Sequence, residues 1–464
     1  MCKAGAGGLL PRSPALPGTE FLLLTNSRSG PDHPAVSGSS RRSSPVTRRK
    51  IAVVGSGVAG LTAAYVLQRE ADVTLYEAAA RLGGHADTHD VTTGDGHLLG
   101  IDTGFIVHNE RTYPLLRRLF AELDVATQES DMSMSISCGG CGLEYAGGRG
   151  LSGLLPSART VSNPRYLRML GEVVRFHRRA RALLERDDDG QTVREFLAAG
   201  NFSPYFVAHF MTPLIAAVWS TAPTQTGDYP ARYLFKFLAN HGMLSVTGAP
   251  VWRTVVGGSA RYVERAAKGL TSLQTSTPVR RITRVGGGVE IRDDADTITG
   301  FDGVVIATHP HQALDMLAAA TTAEREVLGA IGYTVNPAVL HTDVSVLARA
   351  ERAQASWNYA LPSCDATPTN VHLSYNMNRL QRLNTDQTYV VTLNGEAQID
   401  PSTVIDRMRY EHPVYTSESV GAQTRLPELN DGVVGYAGAY HGWGFHEDGC
   451  RSGVAAAASL GVTW

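Results

Sequence analysis

The distribution of apolar and polar residues predicts a strand, a helix and a second strand in close succession after residue 50. Ile51–Val54 is a short, wholly apolar run, which is typical of a buried parallel strand. Leu61–Leu67 shows helical spacing, and Asp72–Tyr76 is predicted to be the second strand. This order of elements predicts a parallel sheet covered by helices at the start of the ordered chain.

The middle of the chain lacks this regular alternation. Pro164–Leu184 places apolar residues between arginines at helical spacing, which predicts amphipathic helices. Val207–Trp219 is strongly apolar, and we expect it to line a cavity. Ala338–Val346, Asn370–Tyr375 and Thr388–Leu393 are predicted to be antiparallel strands. Together these segments predict a second, α+β unit made of a helical cap and an antiparallel sheet.

Composition and charge exclude several classes of protein. The chain has 464 residues, of which 43% are hydrophobic and 19% are charged, as in ordinary globular proteins. Its net charge of −2 gives no indication of a nucleic-acid partner. No apolar run approaches the roughly 18 residues of a transmembrane helix. Five cysteines without a recognisable export signal predict a cytoplasmic protein.

Residues 1–49 are predicted to form a disordered tail. This segment is rich in Ser, Pro, Gly and Arg and has no hydrophobic periodicity. Its arginine pairs, Arg41-Arg42 and Arg48-Arg49, leave open a peripheral contact with an anionic membrane surface.

The segment Gly55-Ser56-Gly57-Val58-Ala59-Gly60 connects the first predicted strand to the first predicted helix. In such a motif the first glycine permits a tight turn, the second lets a pyrophosphate approach the backbone, and the third allows close helix packing. The phosphates would then face the free N–H groups of the helix N-terminus. Glu77 follows about twenty residues after the glycines, where its carboxylate would accept the ribose hydroxyls and repel the 2′-phosphate of NADP. The motif predicts a bound dinucleotide.

A second glycine turn, Arg81-Leu82-Gly83-Gly84-His85, follows Glu77 and favours FAD over NAD. With this turn in place, the sequence resembles the flavin-containing amine oxidase superfamily, which includes protoporphyrinogen oxidase and the phytoene desaturases. The resemblance extends from Lys50 to the end of the chain. Further motifs that carry it are Ile101–Gly104, Val255–Gly258, Thr277–Ile282, Phe301–Thr308, Val434–Gly438 and Gly444–Gly449 followed by Ser452-Gly453.

The resemblance implies a two-domain α/β fold, with a Rossmann-type FAD-binding domain and a discontinuous α+β substrate domain. The implied segments are a tail at 1–49, FAD-binding parts at 50–130, 245–335 and 429–464, a helical substrate part at 131–244 and an antiparallel-sheet part at 336–428. The motifs and the resemblance together indicate these cofactor-binding residues: Gly55, Gly57, Ala59, Gly60, Glu77, Ala78, Arg81, Gly83, Gly84, His85, Val279, Gly438, Phe445, His446 and Glu447.

Gly449–Leu460 is rich in alanine and is predicted to be a helix. The N-terminus of a helix carries partial positive charge. Directed at the flavin pyrimidine, this end would stabilise the anionic reduced flavin by a fixed dipole. The alternative is a helix that only packs against the sheet.

A closer resemblance connects the chain with one bacterial subgroup of predicted NAD/FAD-binding proteins. The motifs are Phe105–Pro114, Asn240–Gly242, Val339–Asp343, Ser356–Tyr359 and Tyr375–Gln381. Members of this subgroup are often encoded beside cyclopropane-fatty-acid-synthase-like methyltransferases. The resemblance therefore implies a small-molecule substrate that is lipid-like, such as a modified fatty acyl chain, and an association with such a methyltransferase.

Amine oxidases of the superfamily typically place a lysine near flavin N5, but no lysine follows Lys268 here. His341 and Asp343 lie two residues apart on a predicted strand and would share one face. The aspartate could orient the histidine as a general base, or the pair could hold the sheet. His241 is a second candidate base, with a structural role in a turn as its alternative. We expect hydride removal from an apolar substrate; the alternatives are amine oxidation, double-bond isomerisation and a non-catalytic flavoprotein partner.

The sequence contains a single CxxC motif, Cys138-Gly139-Gly140-Cys141. A zinc site needs four ligands, and no matching second pair is visible. The strand-then-helix context of a thioredoxin-like dithiol is also missing. The motif is therefore predicted to be a glycine-rich loop, and no metal site is expected.

Overall fold

The computed structural model describes residues 48–187, 190–245, 248–366 and 368–464. The predicted disordered tail lies outside the described residues up to Thr47. Within the described ranges the first strand begins at Arg49, the last residue of that predicted tail. Arg48–Trp464 forms one compact unit.

The α-helices in chain order are α1 Val58–Leu67, α2 Pro114–Glu122, α3 Gly150–Leu154, α4 Ala158–Val161, α5 Pro164–Leu184, α6 Val193–Ala199, α7 Pro204–Phe206, α8 Thr212–Trp219, α9 Ala231–Asn240, α10 Ala260–Ala267, α11 Pro310–Met316, α12 Thr322–Gly329, α13 Met377–Leu380, α14 Ser417–Gln423 and α15 His446–Ser459. A π-helical turn, Val207–Met211, precedes α8.

The strands in chain order are β1 Arg49–Val54, β2 Ala71–Tyr76, β3 Thr88–Thr92, β4 Leu98–Asp102, β5 His108–Asn109, β6 Thr127–Glu129, β7 Met134–Cys138, β8 Glu144–Gly147, β9 Trp252–Val255, β10 Ser272–Gln274, β11 Val279–Val285, β12 Gly288–Asp293, β13 Ile298–Phe301, β14 Gly303–Ile306, β15 Tyr333–His341, β16 Trp357–Leu361, β17 Leu373–Asn376, β18 Val390–Leu393, β19 Val404–Pro413 and β20 Val434–Tyr436.

The first of the two large sheets is parallel and has five strands in the order β10-β2-β1-β14-β20. Its strands are buried on both faces because side chains alternate between two cores. Ile51 and Val53 pack towards α1, α10 and α15, whereas Ala52 and Val54 pack towards β11, β12 and α11. The predicted parallel sheet is confirmed.

The second sheet has seven strands in the order β19-β15-β18-β17-β16-β7-β8. Its pairs are antiparallel, as predicted, except for the parallel pair β7–β16. Helices α5, α6, α8 and α9 cover one face of this sheet, and an aromatic-rich core that includes Phe176, Phe235 and Tyr359 lies between them. None of the helices in the described ranges combines the length and the apolar character that crossing a membrane requires.

Candidate functional site

A cavity of about 650 Å³ lies where the parallel sheet meets the second sheet. The residues at the carboxyl ends of three parallel strands, Val54, Tyr76 and Ala307, form one end of it. Side chains from α8 and β16, including Trp219 and Trp357, form another wall. Ligands of open α/β sheets bind beyond the carboxyl ends of the strands, and this volume is typical of small-molecule sites.

The three glycines of the first turn differ in the space around them. Gly55 has a φ of +98°, which a residue with a β-carbon rarely adopts. A β-carbon on Gly60 would collide with the carbonyl oxygen of Gly55, so the helix packs against the turn only with glycine here. At Gly57 a β-carbon would meet no atom within 4 Å, and the residue lines the cavity. The backbone at Gly57 is therefore open to a pyrophosphate.

The carboxylate of Glu77 lines the cavity and holds the loop between the glycines. Its Oε2 accepts hydrogen bonds from the backbone N–H of Ser56 at 2.9 Å and from the Ser56 hydroxyl at 2.5 Å. Its Oε1 accepts the backbone N–H of Ala79 at 2.8 Å. Each carboxylate oxygen can accept more than one hydrogen bond, so this arrangement leaves capacity for a ribose hydroxyl. The ribose contact itself stays a prediction.

The second glycine turn contributes Gly84 and His85 to the cavity, whereas Arg81 and Gly83 lie outside its lining. The Arg81 guanidinium donates to the carbonyl oxygen of Gly84 at 2.9 Å and to Asp87 at 2.8 Å. It therefore closes its own turn. The backbone N–H of Gly83 donates to the Ser56 carbonyl at 3.1 Å, which joins the two glycine turns.

Helix α15 begins at the cavity, with Gly438, Phe445 and His446 in the lining. The His446 ring stacks on Phe105 with centroids 3.6 Å apart, and its Nε2 lies 3.2 Å from the Tyr262 hydroxyl. Burial holds the pKa of His446 well below its usual value, so the ring is neutral. Because Phe445 and His446 stand at the N-terminus of α15 and line the cavity, the positive end of the helix dipole lies at the cavity.

Glu447, predicted to bind the cofactor, lies outside the cavity lining. Its carboxylate accepts the backbone N–H groups of Leu115 at 3.1 Å and Leu116 at 2.9 Å. Burial raises the pKa of Glu447 above its usual value. In this structure its direct partners are the first N–H groups of α2.

The residues present fit FAD. Gly57 offers an open backbone, and the buried Nε2 of His85 has no hydrogen-bond partner among the described residues, although its ring lines the cavity. The predicted cofactor residues that line the cavity are Gly55, Gly57, Ala59, Glu77, Ala78, Gly84, His85, Val279, Gly438, Phe445 and His446.

Three histidines, His85, His309 and His412, lie close together in the cavity lining near the end of β19. His309 Nδ1 lies 3.0 Å from Glu411 Oε2, and the Asn336 amide donates to His412 Nδ1 at 3.0 Å. Burial, reinforced by the neighbouring imidazoles, lowers the pKa of His412 to about 3. For the same reasons the pKa of His85 falls to about 4. Both rings are therefore neutral near pH 7 and can donate and accept hydrogen bonds.

Eight residues of the cavity lining form a mostly apolar set, which we call the apolar wall. Its members are Ile106, Val107, Met132, Ala217, Val218, Trp219, Trp357 and Tyr375. The expectation that Val207–Trp219 lines a cavity holds for its last three residues. The buried Trp357 Nε1 has no hydrogen-bond partner in the described part of the chain. No lysine occurs among the described residues of the lining.

The three predicted catalytic residues are not part of the described cavity lining. His341 Nε2 lies 2.8 Å from the Thr392 hydroxyl, and its Nδ1 accepts the backbone N–H of Asp343 at 3.1 Å. Strand β15 ends at His341, so Asp343 is not on the strand as predicted. The Asp343 carboxylate instead accepts the backbone N–H groups of Ser345 and Asp400. These hydrogen bonds stabilise the loop that follows β15.

His241 lies at the end of α9, where its Nδ1 is 3.0 Å from the carbonyl oxygen of Phe237. Burial lowers the pKa of His241 to about 4. The catalytic roles of His241, His341 and Asp343 stay predictions.

Sequence reasoning missed several residues of the cavity, among them His309, Glu411 and His412. They lie outside the glycine motifs, on elements far apart in the chain. Pairing of β19 with β15 and the approach of α11 bring His309 and Glu411 together. The sequence shows Glu411-His412 only as two adjacent polar residues, which no motif singles out.

The comparisons with known proteins agree with this arrangement. The sequence profile described as "Flavin containing amine oxidoreductase" matches residues 58–357. No protein of curated function matches the sequence.

Among solved structures, the CLA-producing fatty acid isomerase from P. acnes superposes with a TM-score of 0.63 at 17% identity, covering 87% of this chain and 97% of that chain. Cyclohexylamine oxidase from Brevibacterium oxydans superposes with a TM-score of 0.62 at 18% identity, covering 89% of this chain and 98% of that chain. Wild-type putrescine oxidase bound to putrescine superposes with a TM-score of 0.63 at 15% identity, covering 89% of this chain and 99% of that chain. At these identities the likeness establishes the fold.

Proposed function

The chain belongs to the flavin-containing amine oxidoreductase family and is an FAD-dependent oxidoreductase; we propose that it removes a hydride from a lipid-like substrate such as a modified fatty acyl chain. FAD supplies the two-electron acceptor for this reaction. The residues of this chain bind the two partners, orient them and exclude water.

The apolar wall is the observation that carries the proposal. Ala217, Val218 and Trp219, the last three residues of α8, line the cavity, and Ile106 and Met132 add to the same apolar lining. Burying each methylene of an acyl chain on such a surface contributes about 0.8 kcal/mol. The eight residues of this wall include no carboxylate; those of the described lining, Glu77, Asp315 and Glu411, lie elsewhere on it. The wall itself therefore favours an alkyl chain over an ammonium group.

Trp357 supplies a polar contact to an otherwise apolar surface. Its indole N–H is buried and has no acceptor among the described residues, so a carbonyl or carboxylate oxygen of the substrate that reached it would supply the missing partner. A fixed donor on a mostly apolar wall helps to set the position of a chain along it, because burying a substrate oxygen against apolar side chains would leave it without a partner.

A second candidate function is the shift of a double bond without net oxidation. Its support is the combination of the apolar wall with a fold similar to that of a fatty acid isomerase. Amine oxidation, the activity named for other similar structures, is disfavoured by the absence of lysine from the described cavity lining. The cytoplasmic location and the association with a methyltransferase stay predictions.

The test is anaerobic mixing of the FAD-loaded protein with unsaturated and cyclopropane-containing fatty acyl lipids, followed at the flavin absorption band. Bleaching with lipids and none with putrescine or cyclohexylamine is the expected result. A double-bond shift in recovered lipid without net bleaching would support isomerisation instead. Bleaching with amines alone would contradict both lipid proposals.

A further inference from the structure

Four potential metal ligands converge on one side of the second sheet, away from the FAD cavity. We call them the Cys3His cluster: Cys138, Cys141, His209 and Cys364. Their ligand atoms all lie within 4.8 Å of one another. The sequence shows only the first two as a motif; the other two come from the π-helical turn before α8 and from the loop after β16.

Two distances within the cluster match those of a tetrahedral site. Cys138 Sγ lies 3.8 Å from Cys364 Sγ, and Cys141 Sγ lies 3.7 Å from His209 Nε2. Zinc–sulfur bonds of about 2.3 Å and zinc–nitrogen bonds of about 2.0–2.1 Å place tetrahedral ligands about 3.6–3.8 Å apart. These two pairs of ligand atoms are therefore spaced as a single zinc ion would hold them, and all four atoms lie within 4.8 Å of one another.

The hydrogen bond at the far side of His209 fixes the ring in the form that a metal needs. His209 Nδ1 lies 3.0 Å from the carbonyl oxygen of Tyr205, one helical turn earlier. A carbonyl oxygen only accepts, so Nδ1 carries the proton and Nε2 presents its lone pair to the three sulfurs. Metal-bound histidines almost always donate their other N–H in this way. The Tyr205 ring also stacks on His209 with centroids 4.0 Å apart.

The glycines between the first two cysteines explain how the loops meet. A β-carbon on Gly139 would lie 2.8 Å from the carbonyl oxygen of Pro362, and one on Gly140 would lie 3.0 Å from the backbone nitrogen of Cys364. The backbone N–H of Gly139 donates to the Leu361 carbonyl at 2.8 Å. Larger residues would push the β7–β8 turn away from the loop that carries Cys364.

We propose that the Cys3His cluster binds one zinc ion as a structural site. All four positions of a tetrahedral ion would be filled by protein, which is the mark of a structural rather than a catalytic zinc. Three thiolates and a neutral imidazole bind the ion, and the thiol protons pass to solvent. The Arg159 guanidinium, which donates to the Cys141 carbonyl at 3.0 Å, lies near the net negative charge that results.

The ion would join the two elements that line the apolar wall of the cavity. Strand β16 starts at Trp357 in the cavity and ends three residues before Cys364. The π-helical turn with His209 continues into α8, which ends at Trp219 in the same cavity. Zinc at the cluster would thus hold the sheet and the helical cap together behind the site.

The experiment measures metal in the full-length, FAD-loaded protein after zinc loading and desalting. The expected result is about one zinc per chain. Replacement with cobalt is expected to give intense tetrahedral d–d bands and a thiolate-to-cobalt charge-transfer band. These two readouts use the unmodified chain and do not depend on activity.

Variants then assign the ligands. Cys141→Ala and His209→Asn are expected to lose zinc to a competing chelator at concentrations at least about tenfold lower than the unmodified protein requires. The matched controls are Cys450→Ala, a buried cysteine in α15, and His177→Asn in α5; both are expected to retain zinc.

Two outcomes would overturn the proposal. One is a metal content far below one per chain after loading. The other is a count of three rather than five free thiols in the metal-free, denatured protein, which would show that two cysteines form a disulfide instead. Neither outcome bears on flavin bleaching by lipids, which the anaerobic experiment measures separately, so failure here is distinct from failure of the proposed function.

Discussion

Glu447, in the first turn of α15, caps a different helix by accepting the backbone N–H of Leu116 at 2.9 Å. It also accepts the N–H of Leu115, so two first-turn donors of α2 share one buried carboxylate. We predict that Glu447→Ala lowers the free energy of unfolding by about 1–3 kcal/mol, because both donors lose their acceptor. Glu447→Gln keeps one acceptor oxygen and should lose less.

Urea unfolding of the FAD-saturated variants checks this prediction, with the exposed Glu418→Ala in α14 as control. Unchanged stability combined with weaker FAD binding would contradict it. That outcome would support the role in FAD binding that the sequence motif implies for Glu447.

The first and third glycines after β1 constrain the fold, whereas Gly57 faces the cavity. We predict that Gly57→Ala folds normally and binds FAD about tenfold more weakly or worse, because the new methyl group occupies space open to the pyrophosphate. Gly60→Ala should instead lower the melting temperature, because its methyl group collides with the Gly55 carbonyl. Flavin content and thermal unfolding of both variants separate the two effects. Equal behaviour of the two variants would refute the assignment.

Stability should fall as the pH drops from about 6.5 towards 3. His412 is buried and neutral, with a pKa of about 3 against an unfolded value of 6.5, so the unfolded chain binds more protons in this window. The stabilisation is complete above pH 6.5 and is lost as the pH falls, at about 1.4 kcal/mol per pH unit for each such histidine.

Urea unfolding at several pH values tests this dependence. His412→Asn should reduce the slope by about one proton, whereas His97→Asn, which alters an exposed histidine, should not. A slope unchanged by His412→Asn would show that other groups govern acid sensitivity.

The KM for acyl substrates should depend on the size of the side chains in the apolar wall. Ala217 lies in the cavity wall and is buried, so Ala217→Phe would fill space that the substrate chain needs. We predict an increase in KM for acyl substrates corresponding to about 1–3 kcal/mol, with flavin content unchanged. Steady-state kinetics across chain lengths measure the effect, and Ala198→Phe on the exposed face of α6 is the control. An unaffected KM would place the substrate elsewhere.

Local signals predicted the framework of the fold. The apolar run at Ile51–Val54 and the following glycines fixed β1, the turn and α1, because buried strands and tight turns leave marks on adjacent residues. Helix α5 has the bounds that its periodicity indicates, Pro164–Leu184. The end of β15 could not be predicted in this way, because Asp343 leaves the strand to accept N–H groups from distant residues.

The identity of the cofactor and the parallel sheet could thus be read from neighbouring residues, since phosphate-binding turns and buried strands are defined by short stretches of chain. The composition of the cavity wall and the Cys3His cluster required the folded molecule. Trp357 and Trp219 approach each other only through the packing of the sheet on the helical cap, and His209 meets Cys364 for the same reason. Contacts between residues more than a hundred positions apart depend on that packing, and a linear pattern carries no record of it.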